Sequence, residues 1–241
     1  MNKKEKLLIT GGCSNSSNIQ FGGSLVKDYI KDSVFTWPTI VAEKLNMNLL
    51  NVAMGGASND YIENVVYDAI IENHDKYDCT VMVFWTAAQR INFFDHQTIM
   101  DYTDHLSSNA RGLWNKVDAK KIINKSFRNM KRTKFLCEYY KIPLVQRISL
   151  GFLFGQQWHD IQTWTMDHPA INELNLSWPE VYAGRWSSNY YIKSDLETEG
   201  RHPNQDGQNL IAQMFIDSLN GKELEVLHDG RIHDGGGYVY D

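Results

Sequence analysis

The first 147 residues alternate short apolar runs with amphipathic stretches, and this alternation limits the fold more than any other feature of the chain. Leu7-Leu8-Ile9-Thr10, Leu49-Leu50-Asn51-Val52-Ala53 and Cys79 to Trp85 read as buried strands, the third rich in β-branched and aromatic side chains. Pro143-Leu144-Val145-Gln146 is a shorter fourth candidate. Helix patterns lie between them. One opens at Pro38 behind Trp37 and runs to Leu45. A second places Tyr61, Ile62, Val65, Val66, Ala69 and Ile70 on one stripe, with Ser58 or Asn59 as cap. A third spans about 118–140, with Ile122, Ile123, Phe127 and Met130 on one face. Strand-helix-strand-helix order predicts a parallel sheet covered on both sides.

Residues 148–192 break the pattern. They hold Trp158, Trp164, Trp178 and Trp186 with poor periodicity, and read as an aromatic-rich, partly irregular insertion before the last helix. That helix follows Pro203 and carries Leu210, Ile211, Met214, Phe215 and Leu219. The expected organisation is a single domain over 1–226, followed by a glycine-rich tail over 227–241.

Composition narrows the function. The 241-residue chain carries a formal charge of −5, which argues against a dedicated nucleic-acid binder or a polybasic membrane anchor. Three widely spaced cysteines suggest neither a disulfide framework nor a zinc site. No apolar run is long enough to span a bilayer, and Leu7-Leu8-Ile9 is too short for a signal-peptide core. A cytoplasmic protein is expected. No metal or organic cofactor is called for. The pairs His159-Asp160 and Asp167-His168 lack ligand spacing on a helix face. Lysines and arginines crowd 120–134, where a solvated outer helix face is the favoured reading over a phosphate-binding one.

In an open parallel sheet, ligands bind beyond the carboxyl ends of the strands, so the residues after each strand matter most. Gly11-Gly12-Cys13-Ser14-Asn15 follows the first, Gly55-Gly56-Ala57-Ser58-Asn59 the second, and Thr86 to Arg90 the third. Glu199-Gly200-Arg201-His202-Pro203 opens the last helix. These segments suit nucleophilic acyl transfer. Ser14 sits among small residues, His202 is a candidate base, and Glu199 is placed to orient the imidazole. Backbone N–H groups of Ser14 and Gly56 are the candidate oxyanion donors. Asn15, Ser58, Asn59, Trp85, Thr86 and Arg90 are the expected substrate contacts. Cys13, beside the serine, is expected as a small buried hydrophobe.

These motifs resemble the SGNH (GDSL-type) hydrolase superfamily. Gly12-Cys13-Ser14 matches its Gly-Asp-Ser block, Asn51 to Ser58 its second block, and Glu199-Gly200-Arg201-His202-Pro203 its final Asp-Gly-x-His-Pro block. Trp37-Pro38, the Gly-Gly-Ala-Ser-Asn turn and Trp85-Thr86 with Arg90 are closer still to SGNH-like proteins of tailed phages. The resemblance covers 6–90 and 199–216. It implies a three-layer α/β/α flavodoxin-like fold and a serine-dependent esterase releasing an acetyl or short acyl group, with a small-molecule or carbohydrate ester as substrate. A phage-encoded protein would work in the host cytoplasm. The family's third block, Gly-x-Asn-Asp, aligns with Trp85-Thr86-Ala87-Ala88, so its oxyanion asparagine is absent. Loss of one such donor costs about 10²–10³ in rate. That departure keeps two alternatives open: a catalytically silent binding protein for a glycan or other ligand, and a phage structural protein using the fold as scaffold.

Overall fold

The computed structural model describes residues 4–17, 35–86, 88, 91–92, 99–100, 119–148, 168–174 and 203–222. Glu199, His202, Arg90, the four tryptophans of the insertion and the tail lie outside the described residues.

Strand β1 (Lys6–Gly12) leads to helix α1 (Trp37–Leu45), strand β2 (Asn48–Asn51), helix α2 (Asn59–Asn73) and strand β3 (Asp78–Trp85). Two-residue strands β4 (Ile91–Asn92) and β5 (Ile99–Met100) pair antiparallel with each other. Helix α3 (Ala119–Tyr140), strand β6 (Leu144–Ile148), helix α4 (Pro169–Glu173) and helix α5 (Gln205–Leu219) follow. The main sheet has the order β2-β1-β3-β6, parallel throughout. The chain thus starts in the sheet's interior and steps outward to each side, as in doubly wound folds.

Central strands of a parallel sheet are buried on both faces, so they read as unbroken apolar runs. In β3 every residue after Asp78 is buried, and in β1 every residue after Lys6. Strand β2, at the edge, is only half-buried. The two faces separate by parity. Leu7, Ile9, Val81, Val83, Trp85 and Ile148 share one core with α2 and α3. Leu8, Met82, Phe84 and Val145 share the other with α1 and α5. An aromatic trio anchors this second core: Trp37 stacks on Phe215 at 4.1 Å, and Phe84 meets both edge-on. Such pairs add about 0.5–1.5 kcal/mol each beyond burial.

Local signals set the helix ends. Ser58 caps α2, its hydroxyl accepting from the N–H of Tyr61. Asn46 closes α1 in the left-handed region, and Lys141 does the same after α3. In both, the next residue's N–H reaches five residues back, the Schellman pattern. The basic side of α3 is engaged with carboxylates: Lys125 with Asp60, Lys131 with Glu173, Arg132 with Glu63. Among the described residues, no helix is long and apolar enough to cross a membrane.

Candidate active site

The exits of β2, β1 and β3 lie side by side. Beyond the β1–β2 ladder, Val52 N–H donates to Thr10 C=O and Met54 N–H to Gly12 C=O. On the other flank Gly12 pairs with Phe84. Ser14 and Thr86 therefore each stand two residues past a paired position, and the Gly55-Gly56 turn stands on Ser14's opposite side.

Ser14 lies in a tight turn closed by Ser16 N–H donating to Cys13 C=O at 2.9 Å. The turn is fastened from several directions. Asn51 Nδ2 donates to Ser16 C=O at 2.8 Å, while Asn51 Oδ1 accepts from Thr10 Oγ1 and from Ala53 N–H. Trp37 Nε1–H donates to Ser16 Oγ at 2.9 Å. Gln208 Nε2 donates to Asn15 C=O at 3.3 Å. Gly12 is required by space: a Cβ there would stand 2.2 Å from Ser16 Oγ. Ser14 itself is partly exposed, Asn15 is buried, and Cys13 points its thiol into the α2–α3 core.

The second turn is closed by Ala57 N–H donating to Met54 C=O at 3.1 Å, with Gly56 at φ 71°. Positive φ at the third residue is what a type II turn demands and what glycine supplies. Ser58 and Asn59 follow directly, and both are buried.

Asn59 is committed to protein groups. Its Oδ1 accepts from Thr86 N–H at 2.9 Å, and its Nδ2 donates to Thr86 C=O at 3.0 Å and to Ser126 Oγ at 3.1 Å. One side chain thus ties the start of α2 to the end of β3 and to α3. Trp85 is fully buried, its ring N–H donating to Gln146 Oε1 at 2.9 Å. The Thr86 side chain is also buried, and its Oγ1 has no hydrogen-bond partner among the described residues.

Helix α5 reaches this edge through its first turn. Asn204 is its N-cap, with Oδ1 accepting from Gly207 N–H at 3.0 Å. His202 is two residues upstream in sequence. Gln205 and Gln208 grip the start of α1 and the residues leading into it: Phe35 N–H donates to Gln205 Oε1, and Trp37 N–H to Gln208 Oε1 at 2.8 Å.

The described structure brings the Ser14, Gly56 and Thr86 segments and the start of α5 to one edge. It describes nothing of Glu199, His202 or Arg90. Sequence reasoning missed Asn51, Trp37 and Gln208 as supports of the Ser14 turn. His168, of the Asp167-His168 pair, caps α4. Its Nδ1 accepts from Ala170 N–H, its Nε2 meets Asn124 Oδ1 at 2.9 Å, and its ring stacks on Phe127. Burial, then the Lys131 charge, holds the imidazole below its ordinary pKa, against the opposing pull of Glu173. Among the described residues, no group of three or more His, Cys, Asp or Glu is arranged to hold a metal.

No protein-family model matches the chain, and no curated protein matches it. Solved structures do. The YXIM protein of Bacillus subtilis aligns over 91 % of this chain and 57 % of its own, at 13 % identity and a TM-score of 0.52. The psychrotrophic esterase EstA from Pseudoalteromonas sp. aligns over 90 % and 97 %, at 15 % identity and 0.46. A protein described as lipolytic and of the G-D-S-L family, from Desulfitobacterium hafniense, aligns over 88 % and 98 %, at 12 % identity and 0.45. The neighbours thus include esterases and G-D-S-L proteins. At these identities the likeness is one of fold alone: a parallel α/β sheet flanked by helices.

Proposed function

We propose that the chain is a serine-dependent ester hydrolase of SGNH type, acting on an acetyl or short-acyl ester, with a carbohydrate ester as one candidate class. Ser14 Oγ attacks the carbonyl carbon and His202 takes its proton. The N–H groups of Ser14 and Gly56 hold the oxyanion. When the tetrahedral intermediate collapses, His202 returns the proton to the leaving alkoxide. Water, activated by His202, then releases the acyl group and restores Ser14. Glu199 orients His202 throughout. Asn15 and Arg90 border the substrate, whereas Ser58, Asn59, Trp85 and Thr86, all buried, act by holding the exits of the second and third strands in place.

The observation that supports this reading is the convergence of the Ser14 turn, the Gly56 turn and the first turn of α5 at one sheet edge. The motif resemblance supplies the roles of His202 and Glu199. The single-domain boundary at 226, a cytoplasmic site of action and a phage origin belong to the same proposal and rest on sequence alone. A panel of aryl esters with acyl chains from acetyl upward tests it, with Ser14→Ala as control. Turnover that favours short chains and vanishes in the folded variant is expected. Equal turnover by Ser14→Ala removes Ser14 from the mechanism.

A second reading draws on Asn59. The N–H of Thr86 is spent on its side chain, so the third strand's exit offers no backbone donor there, and Ala87 stands where the family has asparagine. A silent ligand-binding site follows from that loss. Saturable ligand binding without turnover, unchanged in Ser14→Ala, would favour it.

A further inference from the structure

Gln208 is fully buried on the inward face of α5, beside Ile211, Ala212 and Phe215. A buried amide is costly unless its hydrogen bonds are met. Here both ends reach segments far away in sequence. Oε1 accepts from Trp37 N–H at 2.8 Å, a donor of the first turn of α1 that no intrahelical carbonyl can satisfy. The N-cap of α1, Thr36, makes no side-chain cap bond. Nε2 donates to the carbonyl of Asn15, the residue after Ser14. Gln208's own N–H donates at 2.8 Å to the carbonyl of Asn204, the N-cap that follows His202 and Pro203. Trp37 completes the link: its ring N–H holds Ser16 and its ring stacks on Phe215, two turns along α5.

We propose that Gln208 is a positioning residue that sets the spacing between the Ser14 turn and the start of α5, and through it the fit of the His202 base to Ser14. This rests on the serine-hydrolase reading above. A base must stand within about 2.6–3.2 Å of the proton it takes. A displacement of about 1 Å costs on the order of 10²-fold in rate. Loss of the Gln208 bridge frees the two segments to separate on that scale, whereas the hydrophobic core of α5 stays in place.

The test is the rate of fluorophosphonate adduct formation at Ser14 as a function of pH, with thermal unfolding measured alongside. Gln208→Met keeps the volume and removes the bonds to Trp37 and Asn15. Gln208→Glu keeps the acceptor for Trp37 N–H and replaces the donor facing Asn15. Both variants are expected to fold and to label about 10–100-fold more slowly than the native chain, without the rise in rate that accompanies deprotonation of the base. A purely structural role predicts a lower melting temperature and fewer reactive molecules, with rate and pH profile per reactive site unchanged. Either folded variant labelling within about twofold of the native rate, with the native pH profile, overturns the proposal. If Gln208→Met does not fold, Gln208→Glu decides. A folded native chain that takes no adduct overturns the serine-hydrolase reading and this proposal with it. That result is visible without any Gln208 variant.

Discussion

Replacing Asn59 with alanine should unfold this protein far more readily than an exposed asparagine could. The side chain makes three hydrogen bonds, of 2.9, 3.0 and 3.1 Å, and both Asn59 and Thr86 are buried. Alanine leaves the N–H and the C=O of Thr86 unpaired. The Ser126 hydroxyl can rotate toward another acceptor, so it is left out of the sum. Each orphaned buried group costs about 1–3 kcal/mol, which gives a loss of about 2–6 kcal/mol. Water entering the vacated space moves the value toward the lower end. Against a typical total of about 5–15 kcal/mol, this is a large fraction. Urea unfolding followed by circular dichroism, with a common m-value, measures it. Asn59→Asp is the companion. It keeps one acceptor but turns a second oxygen toward the Thr86 carbonyl, so it should cost as much at neutral pH. An Asn59 that merely touched a ligand from the surface would change stability by no more than about 0.5 kcal/mol when replaced. A loss below about 1 kcal/mol in Asn59→Ala would mean that the Thr86 N–H and C=O find other partners and do not depend on Asn59.

Gly12→Ala should cost about 1–3 kcal/mol in a melting experiment, because the added Cβ would stand 2.2 Å from Ser16 Oγ and 3.1 Å from the Phe84 carbonyl. Gly56→Ala should cost about 1–2 kcal/mol from its φ of 71° and slow any turnover by tilting the second turn; unchanged stability would mean the turn relaxes freely. Cys13, Cys79 and Cys137 are all buried, and burial pushes the Cys137 thiol up to about 12. A thiol reagent at pH 8 should therefore titrate none in the native protein and all three after unfolding. Burial raises the Glu63 carboxyl above its ordinary 4.5, against the pull of Arg132. The folded state thus keeps that proton to higher pH than the unfolded chain does, and stability falls as pH rises from about 4.5 through the raised folded-state value. Glu63→Gln should flatten that fall and be the more stable protein at pH 7; an unchanged slope would show that Glu63 is not its source.

The sheet was legible because parallel central strands leave little room for polar residues. Cys79 to Trp85 marks β3 almost to the residue, since all of it is buried. The apolar pattern around β2 runs over 49–53, but the strand ends at Asn51, because Val52 and Ala53 already belong to the exit that carries the second turn. The helix cap offered as Ser58 or Asn59 resolves to Ser58, which frees the Asn59 amide to reach across to Thr86. The short β4–β5 pair carried no signal, since two residues show no period. Contacts distant in sequence were the least legible. Gln208 meets Trp37 and Asn15 across 171 and 193 positions, which no local pattern encodes. One sign was available. A glutamine on the same stripe as Ile211, Ala212 and Phe215 puts an amide into a core, and a buried amide needs partners.

Everything proposed for this site depends on Ser14 being an activated nucleophile. Intact-mass analysis after exposure to a fluorophosphonate, with the adduct located by peptide mapping, tests it most directly. One adduct per chain, on Ser14 and absent from folded Ser14→Ala, is the predicted result. An adduct elsewhere, or none in a folded native chain, would contradict it.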